Sequence, residues 1–244
     1  MRTIRSFVDR PLGTGDTFAL PEATGNHLVR VLRLDVGDTC VLFNGDGHDY
    51  TARLLTREKR GAAVEIVGHH AVGNESPLRI TLIQGIARGE KMDLILQKGT
   101  ELGVAAFAPA STDRTEVRLD ADRSDRKMAH WRGVLASACE QSGRARLPDL
   151  AAPRALADAV AADANPLRFL LDPEASEAIA DLALPPDAAL TLAIGPEGGF
   201  SDRDRAILKA GGFRGLRLGP RILRTETAGL AAIAALMAIY GDWR

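Results

Sequence analysis

The chain has 244 residues, 45% hydrophobic and 26% charged, with a formal net charge of -1. That length supports one large domain or two small ones with a real core, and the balance excludes a disordered chain and a coiled coil. A near-neutral total excludes nucleic-acid binding by gross charge and leaves only a local basic patch, because affinity follows the phosphates contacted.

The charge is unevenly spread. Arg79 to Arg146 holds twelve Lys and Arg against nine Asp and Glu, and Leu147 onward holds ten against thirteen, so the middle of the chain is the better anion-facing part. Cys40 and Cys139 are far apart and suggest neither a disulfide framework nor a zinc site. The start, MRTIRSFVDRP, lacks the apolar core of a signal peptide, and the uncharged run Thr227 to Gly241 is too short for a membrane span. The expectation is a cytoplasmic protein with no membrane partner.

In chain order, residues 1–72 read as short strands broken by glycines: Ile4–Val8, Thr39–Phe43, Asp49–Leu55 and Ala62–Val67. Such spacing predicts a small barrel. Glu22 to Leu34 differs and reads as a helix. On it His27, Arg30 and Arg33 fall three apart and share a face, with Leu28, Val31 and Leu32 mostly opposite. His69 and His70 sit side by side at a strand end and point opposite ways, which disfavours a metal site.

Gly73-Asn74-Glu75-Ser76-Pro77 has linker composition, so the boundary is placed there and the second domain spans 76–244. Its pattern alternates: strand Leu78–Ile86, helix Lys91–Leu102 ending at Gly103, strand Val104–Ala110 and helix Arg126–Gln141. After an Ala-rich surface helix and loop within Leu150–Ala164 come strands Leu167–Leu171 and Leu190–Ile194. Helix Ser201–Ala210 opens on a capping-box pattern with Asp204, followed by strand Phe213–Leu218 and helix Thr227–Tyr240. Alternation of this kind gives an α/β domain with a mostly parallel sheet, whose ligands bind at the carboxyl ends of the strands.

Three loops follow apolar strands there: Leu171-Asp172-Pro173-Glu174, Gly195-Pro196-Glu197-Gly198-Gly199-Phe200-Ser201, and Gly219-Pro220-Arg221-Ile222-Leu223-Arg224-Thr225-Glu226-Thr227. The glycines of the second let main-chain groups approach a ligand at a helix N-terminus. No Lys-Ser/Thr pair follows them and no G-x-G-x-x-G is present, so neither a Walker loop nor a dinucleotide fingerprint is found.

The strings IGPEGGFS and LGPRILRTETAGLAAIAAL strongly resemble the RsmE family of 16S ribosomal RNA uridine-N3 methyltransferases, of the SPOUT class. NHLVRVLRLDVGD, ARGEKMDLILQKGTELGV and ACEQSGRARLP resemble the same family, in the same order and nearly end to end. The resemblance implies a PUA-like barrel, then an α/β domain whose C-terminal segment forms a trefoil knot, a rare exception to the rules of chain topology. It also implies a homodimer with each active site near the subunit interface, and 16S rRNA, within the assembled small subunit, as substrate.

The resemblance places S-adenosylmethionine among the three loops. On this chain the implied ligand residues are Leu171, Ile194, Gly195, Pro196, Glu197, Gly198, Gly199, Leu218, Gly219, Leu223, Arg224, Thr225 and Thr227, with Ile222 helping to line an adenine slot. Family members vary at the middle of the first loop, so no ligand contact is carried onto Asp172. Two roles suit Arg224: a cation for charge developing on uracil or for a phosphate, or a structural tie within the loop. Glu226 suits a proton acceptor or an acidic residue in the first turn of the last helix. RNA contacts are expected from His27, Arg30, Arg33, Arg88, Lys91, Lys98, Arg114 and Arg144, mostly to phosphate, with the target base flipped out. Competing readings are a methyltransferase of the same class acting on another base or a ribose, a non-catalytic RNA-binding factor, and a nucleotide-dependent oxidoreductase.

Overall fold

A computed structural model describes residues 4–58, 61–116 and 121–243. The chain divides into two compact units. One comprises the residues up to Glu75 together with Ala136–Leu147, and the other Ser76–Leu135 with the residues from Pro148 on.

The first unit contains β1 (Arg5–Phe7), β2 (Thr17–Ala19), α1 (Glu22–Asn26), β3 (Thr39–Phe43), β4 (His48–Glu58) and β5 (Gly61–Ala71). Its sheet runs in the order β1-β3-β4-β5-β2. β4 and β5 form a long antiparallel hairpin with register shifts at Thr51/Ala52 and Leu54/Thr56, irregularities of the kind that bend a strand. Leu42, Leu54, Val64 and Ile66 are sealed in the core behind it. Cys40 and Cys139 are free and buried, and burial pushes their thiols up to about 11 and about 12. They are inert packing groups at neutral pH.

The helix expected from Glu22 to Leu34 is not one helix. After α1 the chain makes a π-helical turn over His27–Val31, and Arg33 follows with φ 59. The cause is packing. Gly25 lies so close to β5 that a Cβ there would sit 3.2 Å from the Ala62 amide nitrogen, and the wider π turn lets the adjacent Leu28 and Val29 both point inward. Val31 is instead 65% exposed and Leu32 39%. His27, Arg30 and Arg33 are all exposed, yet they do not share one helical face, because Arg33 lies beyond the helix in a left-handed conformation.

The second unit carries β6 (Arg79–Gly85), α2 (Glu90–Glu101), β7 (Ala106–Ser111), α3 (Ala121–Ser142, whose last turns belong to the first unit), β8 (Asp149–Leu150), β9 (Arg154–Ala155), α4 (Leu156–Ala162), β10 (Leu167–Leu171), β11 (Ala189–Ile194), α5 (Asp202–Ala210), β12 (Arg214–Leu216) and α6 (Thr225–Tyr240). The sheet is parallel throughout, in the order β12-β10-β11-β6-β7-β8, with β9 also on β7. Strand residues alternate between two cores. Ile80, Leu82, Leu190 and Leu192 pack with α2, α3 and α6, whereas Ile83, Leu170 and Ala193 pack with α4 and α5.

Local signals set the helix ends. Ser201 Oγ accepts the Asp204 N–H at 3.0 Å while Asp204 Oδ2 accepts the Ser201 N–H at 2.9 Å, completing the capping box that opens α5. Gly103, at φ 91, closes α2. No helix among the described residues is long and apolar enough to cross a membrane.

Candidate active site

The carboxyl ends of β10, β11 and β12 lie side by side in the sheet, so the loops that leave them converge. They enclose a cavity of about 340 Å³, within the roughly 300–1,000 Å³ usual for ligand pockets. Every ligand residue expected from the sequence lines it except Thr227, which is exposed on the first turn of α6. Asp172, Phe200, Arg205, Arg221 and Ile222 line it too.

The glycine loop is drawn tight. The Gly199 N–H donates to Pro196 O at 2.8 Å, Gly199 has φ 67, and a Cβ on Gly195 would come within 2.9 Å of the Gly199 carbonyl carbon. Side chains are excluded where the backbone folds on itself, so Gly195, Gly198 and Gly199 line the cavity with backbone alone. Below it, Gly85 at the end of β6 abuts the loop: a Cβ there would meet the Pro196 nitrogen and Cδ at 2.5 Å.

Loops two and three are locked together by Thr225. Its hydroxyl donates to Gly195 O at 2.6 Å and accepts from Gln84 Nε2 at 3.0 Å. Gln84 is fully buried and also donates to Gly85 O at 2.9 Å. Sequence reasoning passed over Gln84, although a polar residue at the end of the apolar run ITLIQG was a usable signal. In the first loop, the Asp172 carboxylate lines the cavity but is engaged by Arg205 of α5 and by the Glu174 N–H.

The cations expected to touch RNA divide into groups. Arg88, Lys91 and Arg114 gather around the glycine loop. Glu197 Oε1 accepts the Arg88 backbone N–H at 3.1 Å and Lys91 Nζ at 3.0 Å, and Arg114 donates to Gly198 O at 2.7 Å, while the exposed Arg88 guanidinium pairs with Glu116 at 2.7 Å. Partial burial opposes the Glu197 charge, but these donors outweigh it and hold the carboxyl below its ordinary range. Lys98 is instead turned to Glu101 on its own helix, with Nζ at 2.8 Å from Oε1. Arg144 is buried in the first unit, where Nη2 lies 2.6 Å from Glu75 Oε2 and Nε 3.0 Å from Oε1. A guanidinium committed in that way is a structural tie, and the expected phosphate contact from Arg144 is withdrawn.

Of the two expected catalytic residues, Arg224 lines the cavity, and among the described residues its exposed side chain makes no hydrogen bond or ion pair. Glu226 does not reach the cavity. It lines a groove with Lys91, Leu94 and Val134, and its Oε2 is buried without a hydrogen-bond partner among the described residues. One helical residue separates them, and on a helix start successive side chains diverge by about 100°. The geometry removes Glu226 from the reacting atoms in this cavity.

A knuckle of backbone at a sheet's carboxyl edge, an apolar slot and a cation without a partner among the described residues, with a small β-rich unit ahead in the chain, fit an RNA methyltransferase built on a PUA domain. Family profiles agree: an RNA methyltransferase domain matches residues 74–237 and an RNA methyltransferase PUA domain residues 20–67. The Ribosomal RNA small subunit methyltransferase E of Mycobacterium bovis is 32% identical, over 97% of this chain and 92% of its own length. A crystal structure of that enzyme from Neisseria gonorrhoeae bound to S-adenosyl methionine superposes with TM-score 0.91 at 37% identity, covering 100% of both chains. A Legionella pneumophila methyltransferase solved with bound SAM superposes at 0.93 with 39% identity, over 99% of this chain and 100% of that one. The chain belongs to the ribosomal RNA small subunit methyltransferase E family.

Proposed function

We propose that this protein methylates N3 of one uridine in 16S rRNA, using S-adenosylmethionine held by the three loops. The observation that carries the reading is the cavity itself, where a self-folded glycine loop and Leu218, Ile222 and Leu223 meet a cation without a partner among the described residues. The residues fit the cofactor. Leu218 and Leu223 offer an apolar slot with main-chain partners for the adenine edge, and the bare backbone of Gly195–Gly199 suits the ribose and methionine portions.

Bound S-adenosylmethionine supplies a methyl group already activated on a sulfonium, so the protein's task is chiefly alignment, which contributes roughly 7–11 kcal/mol in favourable cases. Thr225 and Gln84 hold the two loops that fix the cavity's walls. Uracil N3 becomes nucleophilic as its proton passes to solvent water, and charge spreads onto the flanking carbonyl oxygens. Arg224 is the group to meet that charge. Arg88, Lys91 and Arg114, at the outer side of the glycine loop, are assigned to phosphates of the RNA.

The remaining features of the reading rest on likeness and on surface chemistry. We assign a homodimer, supported by Leu94, Ile239 and Trp243, which expose 40%, 42% and 50% of their surface around α2 and the end of α6, and by the unsatisfied Glu226 oxygen beside Leu94. The threading of the last segment as a trefoil knot, the assembled small subunit as substrate and a cytoplasmic location complete the proposal.

Arg224→Ala tests the assignment. Its melting temperature without ligand should match wild type, while methyl transfer at saturating S-adenosylmethionine falls about 100-fold or more. Undiminished turnover would remove Arg224 from the chemistry, and stabilisation of wild type by a nicotinamide dinucleotide but not by S-adenosylmethionine would overturn the whole reading.

A further inference from the structure

At the open end of the β4–β5 hairpin three rings form a cluster that the active site does not use. Tyr50 and His69, paired across the strands, stack with centroids 5.6 Å apart at 25°. His48 stands edge-on to His69 at 5.7 Å and 68°. Each ring is held from its polar edge. The Asp46 carboxylate accepts the Tyr50 hydroxyl at 2.7 Å and lies 3.2 Å from His48 Nδ1, and Thr14 Oγ1 lies 3.0 Å from His69 Nδ1. Tyr50 is buried and stacks against His69, whereas His69 itself is exposed.

Beside the rings lies Arg146, from the ACEQSGRARLP string whose other arginine, Arg144, is spent on Glu75. Its guanidinium rests on Gly47, where a Cβ would sit 3.0 Å from Nε and Nη2, and Gly47 adjoins His48 and donates its N–H to Ala145 O at 3.1 Å. The Arg146 side chain is exposed and has no hydrogen bond or ion pair among the described residues. A metal does not explain the cluster, since no group of three His, Cys, Asp or Glu among the described residues could hold one.

Resting on the reading of this protein as an RNA enzyme, we propose that His69, walled by His48, stacks on one unpaired nucleobase of the RNA while Arg146 takes the adjoining phosphate. Exposed rings pre-set by hydrogen bonds, next to a guanidinium, are the equipment with which proteins hold single-stranded nucleotides. A double helix cannot use it, because its bases already stack on one another. The site is separate from His27–Arg33: α1, which leads directly into that segment, packs through Gly25 at Ala62 on the other end of β5, about 23 Å along the strand from His69.

The test uses the full chain and a fluorescent five-nucleotide single-stranded RNA, with affinity measured over a salt series. His69→Ala and Arg146→Ala should each weaken binding about tenfold. Arg146→Ala should also lower the salt slope by about 0.7, one phosphate's worth for a single strand. His69→Phe, which keeps a ring, should bind within about twofold of wild type. The proposal fails if both alanine variants bind as wild type does, if only an Arg30→Ala/Arg33→Ala variant is impaired, or if a duplex of the same sequence competes equally. Wild-type methyl transfer to small subunits, assayed in parallel, separates failure of this site from failure of the RNA reading.

Discussion

Thr225 shows how single side chains hold this cavity together. It is the meeting point of a buried Gln84 amide and the Gly195 carbonyl, and so of loops that lie far apart in sequence. Thr225→Val keeps the shape and deletes the hydroxyl. It should cost about 1–3 kcal/mol, the penalty of buried polar groups left unmatched, and should weaken S-adenosylmethionine binding, as calorimetry would detect. Arg144→Ala should destabilise the first unit by a similar 1–3 kcal/mol, since Glu75 keeps some access to water, with RNA affinity per folded molecule unchanged. A selective loss of RNA binding would restore Arg144 to the interface. The contrast between Arg144 and Arg224 marks the limit of sequence at this scale. Both are arginines in motif-like strings, and only the tertiary neighbours separate a buried tie from a cation facing the cavity.

At the scale of elements, the signals that depend on few neighbours were the readable ones. Ser201 and Asp204 capping α5, Gly103 closing α2, and the apolar strands β10 and β11 all followed from local chemistry. The π turn at His27–Val31 did not, because it answers to the pressure of β5 on Gly25, a contact distant in sequence. The strands β2, β8 and β9 were too short, at two or three residues, to show any period. Glu226 was misplaced for a related reason: the motif runs through the start of α6, and the turn of the helix carries alternate side chains to different surfaces. Gly85 gives the sharpest prediction here. Its neighbour at 2.5 Å is backbone and a proline ring, neither of which yields easily. Gly85→Ala should therefore cost about 1–3 kcal/mol and displace the glycine loop, seen as a lower melting temperature together with a lost thermal response to S-adenosylmethionine. A variant that melts and responds like wild type would show that the loop is not seated on β6 as described.

For the whole molecule, the two-unit reading came from composition: glycine-broken strands before Gly73–Pro77, alternating strands and helices after it. What composition could not carry is the return of Ala136–Leu147 to the first unit, which depends on contacts made by the end of a helix begun in the second. The division of labour we propose has the first unit contribute to RNA capture, while the second holds the cofactor cavity and the cations beside the glycine loop. The measurement that tests this account most directly is transfer of labelled methyl from S-adenosylmethionine to small ribosomal subunits that lack their own modifications, followed by digestion to nucleosides. The account predicts label in N3-methyluridine alone, absent with Arg224→Ala. Label in any other nucleoside, or none from a protein that binds the cofactor, would contradict it.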